Sequence, residues 1–313
     1  MFFEVKDLNK KYHQHEVIHR LSFTLDKGEI LVVLGPSGCG KSTLLSCING
    51  FEKVNGGLIM LQQQNITKLP PEERSISTVF QTYSLFPNMT VRQNLAYGLK
   101  FQKLAKYQRN QWVSKMINLL QLESIANMSV TEISGGQQQR VALGRSLIVR
   151  PKLLLLDEPF SNLDANLRLH LRKELRRIQQ QLKMTMIFVT HDQQEAFALG
   201  DRILLMNNGR LQQLATGTEI YDNPANQFVL NFVGKANQLG HGRYIRPENI
   251  MLKRDPHGDG IITQSVFQGP TIDYQVKLHD NLYQVTCLNW GHQFTVNERV
   301  TIDYYEKELG KEL

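Results

Sequence analysis

Cysteine is scarce: 3 in 313 residues, at positions 39, 47 and 287. Their spacing fits neither a metal clamp nor a disulfide framework, and their low number suits a reducing cytosol. Long apolar runs are missing too. The longest, such as ILVVL at 30–34 and LLLL at 153–156, fall far short of the ~20 residues that a membrane-spanning helix needs. Any membrane role is therefore expected to be indirect. The opening MFFEVKDLNKKYHQ is charged at once and lacks the apolar core of a secretory leader. No low-complexity tract and no internal repeat occurs, which excludes solenoid and propeller architectures.

What is present is 41% apolar residues, enough to bury a sizeable core, and a length that suits two or three domains. The net charge of +7 fits a nucleic-acid or membrane-surface partner, or simply a mildly basic soluble protein; the last reading is preferred. Short apolar runs at 30–34, 76–80, 153–156 and 186–190 read as buried strands of a parallel sheet. Leu44, Leu45 and Ile48 mark a helix that Gly50 can end. Leu167, Leu171, Leu175, Ile178 and Leu182 recur at helical spacing over 167–182, with Arg168, Arg172, Lys173, Arg176 and Arg177 on the remaining faces, read as solvated. Residues 86–152 lack clear strands and read as a helical insertion. From about 236 the texture becomes short alternating runs, YQVKL, YQVTCL and RVTIDYY, separated by turns. The expected fold is thus an α/β domain over 1–235, with a helical subdomain at about 86–152, and a small β-rich domain or partial barrel over 236–313.

Chemistry concentrates where the apolar runs end. GPSGCGKS has the spacing of a phosphate loop: glycines let main-chain N–H groups turn inward, Lys41 would neutralise β- and γ-phosphates, and Ser42 would offer a hydroxyl to Mg²⁺. A strand precedes it and a helix follows, as that reading requires. LLLLDEP places Asp157 and Glu158 after another strand. Asp157 can hold Mg²⁺ through water, and Glu158 can polarise an attacking water. Gln81 and His191 also follow strand ends, where Gln81 can orient water or contact Mg²⁺ and His191 can contact the γ-phosphate. Open parallel sheets gather ligands at their carboxyl ends, so the four positions are expected to share one site.

ISGGQ at 133–137 opens a second candidate phosphate-seeking helix within the insertion. Ser134 can cap it and the glycines admit close approach, although by itself the string reads equally well as a plain helix-starting turn.

Together these strings resemble an ATP-binding-cassette ATPase over residues 1 to about 235. Gly35, Pro36, Ser37, Gly38, Cys39, Gly40, Lys41, Ser42 and Thr43 resemble its Walker A motif, and Gln81 falls at its Q-loop. Ser134, Gly135, Gly136 and Gln137 are similar to its signature, LLLLDEP to Walker B, SNLD at 161–164 (with Asp164) to the D-loop, and His191 to the switch histidine. Tyr12 lies where the family stacks an aromatic on adenine. Ile133 stands where the family usually has leucine. Gly144 stands for a more usual alanine, with no reason visible in the sequence.

The resemblance implies a RecA-like P-loop core, ATP and Mg²⁺ as ligands, and a head-to-tail homodimer in which each signature completes the partner's nucleotide site. It also implies an OB-like or TOBE-like tail, two membrane permease subunits, indirectly a substrate-binding protein, and a place on the cytoplasmic face of the inner or plasma membrane. Nucleic acid is not an expected partner. LFPNMTVRQNLAYGL at 85–99 and YIRPENIML at 244–252 resemble the importer branch. FSNLDANLR and RPENI look closest to ferric-iron importers, with polyamine, sugar, sulfate or phosphonate importers as alternatives. The stretch from Gln81 to Asn94, with exposed-looking Leu85, Phe86 and Met89, would receive the permeases, or else pack within the insertion.

Overall fold

The computed structural model describes residues 1–161, 163–291 and 293–310. They form two compact units, Met1–Gly217 and Thr218–Leu313. The division precedes the expected boundary near 235, so the segment between 218 and 235 groups with the β-rich tail.

The first unit opens with strands β1 (Phe3–Tyr12) and β2 (His15–Leu25), then β3 (Ile30–Leu34), helix α1 (Lys41–Asn49), β4 (Gly56–Leu61), the short β5 (Gln64–Asn65) and β6 (Ile76–Val79). The helical insertion supplies α2 (Val91–Tyr97), α3 (Lys106–Leu119) and α4 (Gly135–Leu147). The chain returns through β7 (Leu153–Asp157), α5 (Ala165–Leu182), β8 (Thr185–Thr190), α6 (Gln193–Leu199), β9 (Arg202–Asn207) and β10 (Arg210–Ala215).

Two sheets result. One is antiparallel, ordered β2-β1-β4-β5; the other has six strands in the order β10-β9-β3-β8-β7-β6. Within the second, β9, β3, β8, β7 and β6 run parallel and β10 is antiparallel. All five residues of β3 and all six of β8 are buried, because both faces of a parallel sheet are covered. Leu31, Val33, Leu155, Ile187 and Val189 join α1 and the antiparallel sheet in one core. The other face receives Phe160, whose ring lies 5.5 Å from that of Phe188.

Local signals explain the termini. Gly50 takes the left-handed conformation that ends α1, at φ 90°. The buried Arg74 then donates to the carbonyls of Cys47 and Ile48, both left unpaired by the helix end. Thr90 caps α2 reciprocally with Gln93.

Gly144 now has a reason. A Cβ there would stand 2.4 Å from Leu120 Cδ1 and 2.7 Å from Leu95 Cδ2, so an alanine in α4 would have to push those two leucine side chains aside.

The arginine face of α5 needs correction. Leu171, Leu175 and Ile178 are buried as expected, each contributing about 2 kcal/mol of apolar burial. Arg172, however, is 5% exposed, and Arg176 pairs with Asp201 at 2.6 Å. Arg168, Arg172 and Arg176 reach across to acids at Asp192, Glu195 and Asp201, whereas Lys173 and Arg177 face water as expected.

Helix α7 (Gly217–Asp222) begins at the last residue of the first unit and otherwise belongs to the second, which continues with α8 (Gln227–Val233), β11 (Asn237–Gly240), β12 (Arg243–Ile245), β13 (Ile250–Arg254), β14 (Gly260–Phe267), β15 (Thr271–Leu278), β16 (Asn281–Leu288), β17 (Arg299–Tyr304) and β18 (Lys307–Glu308). Its sheets are ordered β11-β12-β18 and β13-β17-β14-β15-β16, all antiparallel. Alternating Ile272, Tyr274 and Val276 point into a core shared with Ile262, Val285 and Val300. The fully buried Arg246 of the RPEN string donates to the carbonyls of Leu230, Lys235 and Tyr221, pinning the two short helices to this sheet region.

Candidate functional site

The carboxyl ends of β3, β6, β7 and β8 carry the expected residues. After β3 the loop Gly35–Gly40 turns sharply. A Cβ on Gly35 would lie 2.2 Å from the Met206 carbonyl, and Gly40 has φ 103°; both positions need glycine. No side chain caps α1, so its first N–H groups are left for another acceptor. The helix dipole makes that acceptor an anion. Pro36, Ser37 and Gly38 form the outer rim, while Cys39 is buried and its thiol is pushed up by burial. Cys39 also anchors the loop by accepting from Gly209 N at 3.0 Å. Lys41, 5% exposed, donates to the carbonyls of Gly35 and Pro36, each at 2.8 Å. Those neutral acceptors are weaker than phosphate oxygens, so an incoming polyphosphate competes favourably for the ammonium.

Ser42 Oγ donates to Asp157 Oδ1 at 3.3 Å. Burial, with Glu158 next to it, raises the Asp157 carboxyl above its usual range against the pull of Ser42 and Lys41. A hydroxyl and a desolvated carboxylate are hard oxygen donors, the chemistry that Mg²⁺ prefers. Among the described residues no group of three or more His, Cys, Asp or Glu is placed to hold a metal ion.

Glu158 has φ 44°, a conformation rare outside glycine. It aims the carboxylate toward β8, where His191 Nδ1 lies 3.1 Å from Glu158 Oε2. Gln81 Nε2 donates to Ser161 Oγ at 3.1 Å, and Ser161 Oγ donates to the Glu158 carbonyl at 3.0 Å. Four strand ends are thereby linked into two neighbouring clusters, Lys41–Ser42–Asp157 and Gln81–Ser161–Glu158–His191.

Six expected residues, Tyr12, Ser134, Gly135, Gly136, Gln137 and Asp164, lie outside this linkage. Tyr12 ends β1 in the antiparallel sheet, partly exposed, with Lys10 Nζ 4.5 Å from its ring centre. Ser134 begins α4, where it accepts from Gln137 N at 3.4 Å and its own N–H donates to Gln137 Oε1 at 2.9 Å. This capping box closes the helix start from within, in contrast to the uncapped α1. Gly135 is exposed, but Gly136 is buried, and a Cβ on it would meet Leu167 Cδ2 at 2.9 Å. A side chain at 136 would therefore have to displace Leu167 of α5, which favours glycine there independently of any ligand. Asp164 caps α5 by accepting from Leu167 N at 2.9 Å. Within SNLD, Asn162 lies outside the described residues.

The sequence reading passed over Ser161 as a bridge and missed the acids around His191. One signal was available: Asp192 followed three residues later by Glu195 has capping-box spacing. Asp192 Oδ1 does accept from Gln194 N and Glu195 N at 2.7 and 3.2 Å.

Residues 85–94 form a loop and helix start braced by Asn94, whose side chain bonds Phe86 N and the carbonyls of Phe86, Met89 and Thr90. Leu85, Phe86 and Met89 are partly buried, not exposed as expected. The Phe86 ring lies 4.3 Å from that of Tyr97, tilted by 43°, and Tyr97 meets Phe101 edge-on at 5.7 Å. Phe101 is 78% exposed and continues this aromatic row to the surface.

Known proteins converge on the same reading. Residues 18–161 match the ABC transporter family. The chain is 46% identical, over 96% of its length and 76% of the relative's, to the spermidine/putrescine import ATP-binding protein of Clostridium acetobutylicum. It is 45% identical to the Fe(3+) ions import ATP-binding protein 1 of Pectobacterium atrosepticum, covering 89% and 87% of the two chains. A solved structure, cbiO1 of Clostridium perfringens, part of an ABC transporter complex, aligns with TM-score 0.66 and 28% identity over 70% of this chain and 90% of its own. The uncapped glycine loop, the Ser42–Asp157 pair and the Glu158–His191 contact lie together at adjoining strand ends. The chain belongs to the ABC transporter family, as an ATP-hydrolysing subunit.

Proposed function

We propose that this chain powers solute import, working as a homodimer that sandwiches two ATP molecules and docks on two permease subunits at the cytoplasmic face of the membrane. The observation that carries the hydrolytic reading is the Glu158–His191 contact of 3.1 Å beside the Ser42–Asp157 pair. Main-chain N–H groups at the start of α1 and Lys41 would bind the phosphates. Tyr12 would stack on adenine. Mg²⁺, when bound, neutralises charge on the β- and γ-phosphates. Ser42, Gln81 and water-mediated Asp157 would hold it. Glu158 would take the proton of the attacking water, a role worth about 10²–10⁴-fold. His191 would orient Glu158 and contact the γ-phosphate.

The homodimer rests on Ser134. Its Oγ accepts from Gln137 N, which leaves the hydroxyl proton to donate, and the residue is exposed at a helix start. An exposed donor of that kind, with Gly135 beside it, suits the γ-phosphate of a nucleotide held by a second copy. Asp164 would lie at the same junction. Among the described residues no helix is long and apolar enough to cross a membrane. In this reading the permease subunits would supply the transport path.

Import is supported by the relatives, which are importers of polyamines and of Fe(3+) by name. Identities of 46% and 45% do not rank the two cargoes. We take ferric iron as the cargo on the strings FSNLDANLR and RPENI, with spermidine or putrescine as the alternative. The test is uptake of radiolabelled ferric iron and spermidine by cells carrying the transporter, with and without Glu158→Gln. Glu158-dependent iron uptake supports the reading, whereas Glu158-dependent spermidine uptake alone replaces the cargo. A wild-type rate of ATP hydrolysis by the variant would overturn the site itself.

A further inference from the structure

Helix α5 carries two arginines one turn apart, and both reach the segment after β8. Arg168 Nη1 donates to Asp192 Oδ2 at 3.3 Å, while its Nη2 donates to the carbonyl of Leu163 at 3.0 Å. Arg172 Nη2 donates to the same Asp192 Oδ2 at 3.1 Å and to Glu195 Oε1 at 3.2 Å. Glu195 Oε2 accepts from Thr190 Oγ1 at 2.6 Å, and Thr190 Oγ1 accepts from Asp192 N at 2.9 Å. His191 therefore stands between two residues whose side chains are committed to this network. Its imidazole, by contrast, is turned to Glu158.

The two arginines differ in reach. Arg172 and Glu195 are both buried, and their pairing fixes α5 against α6. Removing either would strand a buried charge and endanger the fold. Arg168 is partly exposed, and Asp192 would keep Arg172 if Arg168 were lost. Only Arg168 also holds Leu163, the neighbour of Asp164. It is thus one side chain with a hydrogen bond on the 161–164 segment and another on the residue next to the switch histidine.

We propose that Arg168 is a positioning residue for hydrolysis, tying the Leu163 carbonyl to Asp192 so that displacement of the 161–164 segment alters where His191 stands against Glu158. That a second copy supplies the displacement rests on the paired-site reading above; the link itself does not. Glutamine at 168 cannot span both acceptors as a cation, and a small misplacement of a catalytic group costs up to about 10²-fold in rate.

The test is a double-mutant cycle on steady-state ATP hydrolysis by the full chain, with Arg168→Gln and His191→Ala separately and together. Arg168→Gln is expected to lower kcat between about 10- and 100-fold while the Kd for ATP stays within about twofold. In the His191→Ala background it should cost less than about twofold, because the group it positions is gone. Arg168→Lys, which keeps a cation, should recover part of the rate, and the imidazole ¹⁵N resonances of His191 should move in Arg168→Gln. Equal losses in both backgrounds, or unmoved resonances, would overturn the link and leave the site reading intact. A wild-type rate for His191→Ala would overturn both. If Arg168→Gln unfolds, the same cycle with Arg168→Lys decides.

Discussion

Glu158 meets His191 through a 3.1 Å contact between Oε2 and Nδ1, and it does so from a backbone conformation, φ 44°, that a non-glycine residue seldom takes. Such a twist costs of order 1–3 kcal/mol and persists only where surrounding structure holds it. Here Glu158 N donates to the Val189 carbonyl and Ser161 Oγ donates to the Glu158 carbonyl. Glu158→Gln keeps the shape and removes the proton acceptor. Its kcat should fall at least about 100-fold with ATP affinity retained. An ATP-bound dimer should then accumulate, as read by light scattering. A variant that stays monomeric at saturating ATP, both alone and with its permeases, would refute the sandwich.

Lys41 is held by two carbonyls of its own loop. Lys41→Ala should remove a charge-assisted contact to phosphate worth about 1.5–3 kcal/mol, or roughly 10- to 150-fold in ATP affinity by titration calorimetry. Unchanged affinity would place the phosphates elsewhere.

Asp157 has its carboxyl raised by burial, so the folded state favours the protonated form. The sign of the linkage follows. Its ionisation destabilises the nucleotide-free protein fully above the folded pKa, and the penalty vanishes below the ordinary carboxylate range. Asp157→Asn should therefore raise the Tm at neutral pH, with the gain shrinking as pH falls, while hydrolysis is lost. A Tm gain independent of pH would contradict the burial argument.

Gly144→Ala sets two effects against each other. Alanine adds about 1 kcal/mol of helix propensity. Overpacking against Leu120 and Leu95 costs about 1–3 kcal/mol. The net expectation is a loss of about 1 kcal/mol in urea unfolding, partly restored by Leu120→Val. A stabilised variant would show that the α4 crossing is looser than described.

Phe86 is braced by Tyr97 and by the guanidinium of Arg145, 5.1 Å from its ring centre, so a charge there would disturb the fold as well as a docking face. Phe101 at the exposed end of the row is the cleaner probe. Phe101→Asp should change stability by no more than about 0.5 kcal/mol and leave basal hydrolysis unaltered. Uptake through the assembled transporter should fall. Unchanged uptake would remove this row from the permease contact.

Much of the hydrolytic site was legible because its residues follow apolar runs. A parallel strand buried on both faces reads as an unbroken hydrophobic string, and the polar residue after it marks a carboxyl end. The N-terminal sheet was not legible in the same way. β1 pairs with β2 through several register shifts, and Asp7, His13 and Arg20 take positive φ, so its alternation is broken repeatedly. Arg168, Arg172 and Arg176 of α5 were misread as part of a wet face because their acids lie outside that helix, while Lys173 and Arg177 are exposed as read.

The sequence alone determined the phosphate loop, the order of strand-end residues and the start of α4, since each depends on neighbours within a few positions. Only the tertiary structure decided that Ser42 meets Asp157 across 115 residues and that His191 meets Glu158 across 33. It alone decided that Gly144 packs against Leu120 and Leu95 and that Arg168 faces acids. Those outcomes depend on which side chains the sheet and helices bring within hydrogen-bond or van der Waals reach, and no local spacing encodes that distance.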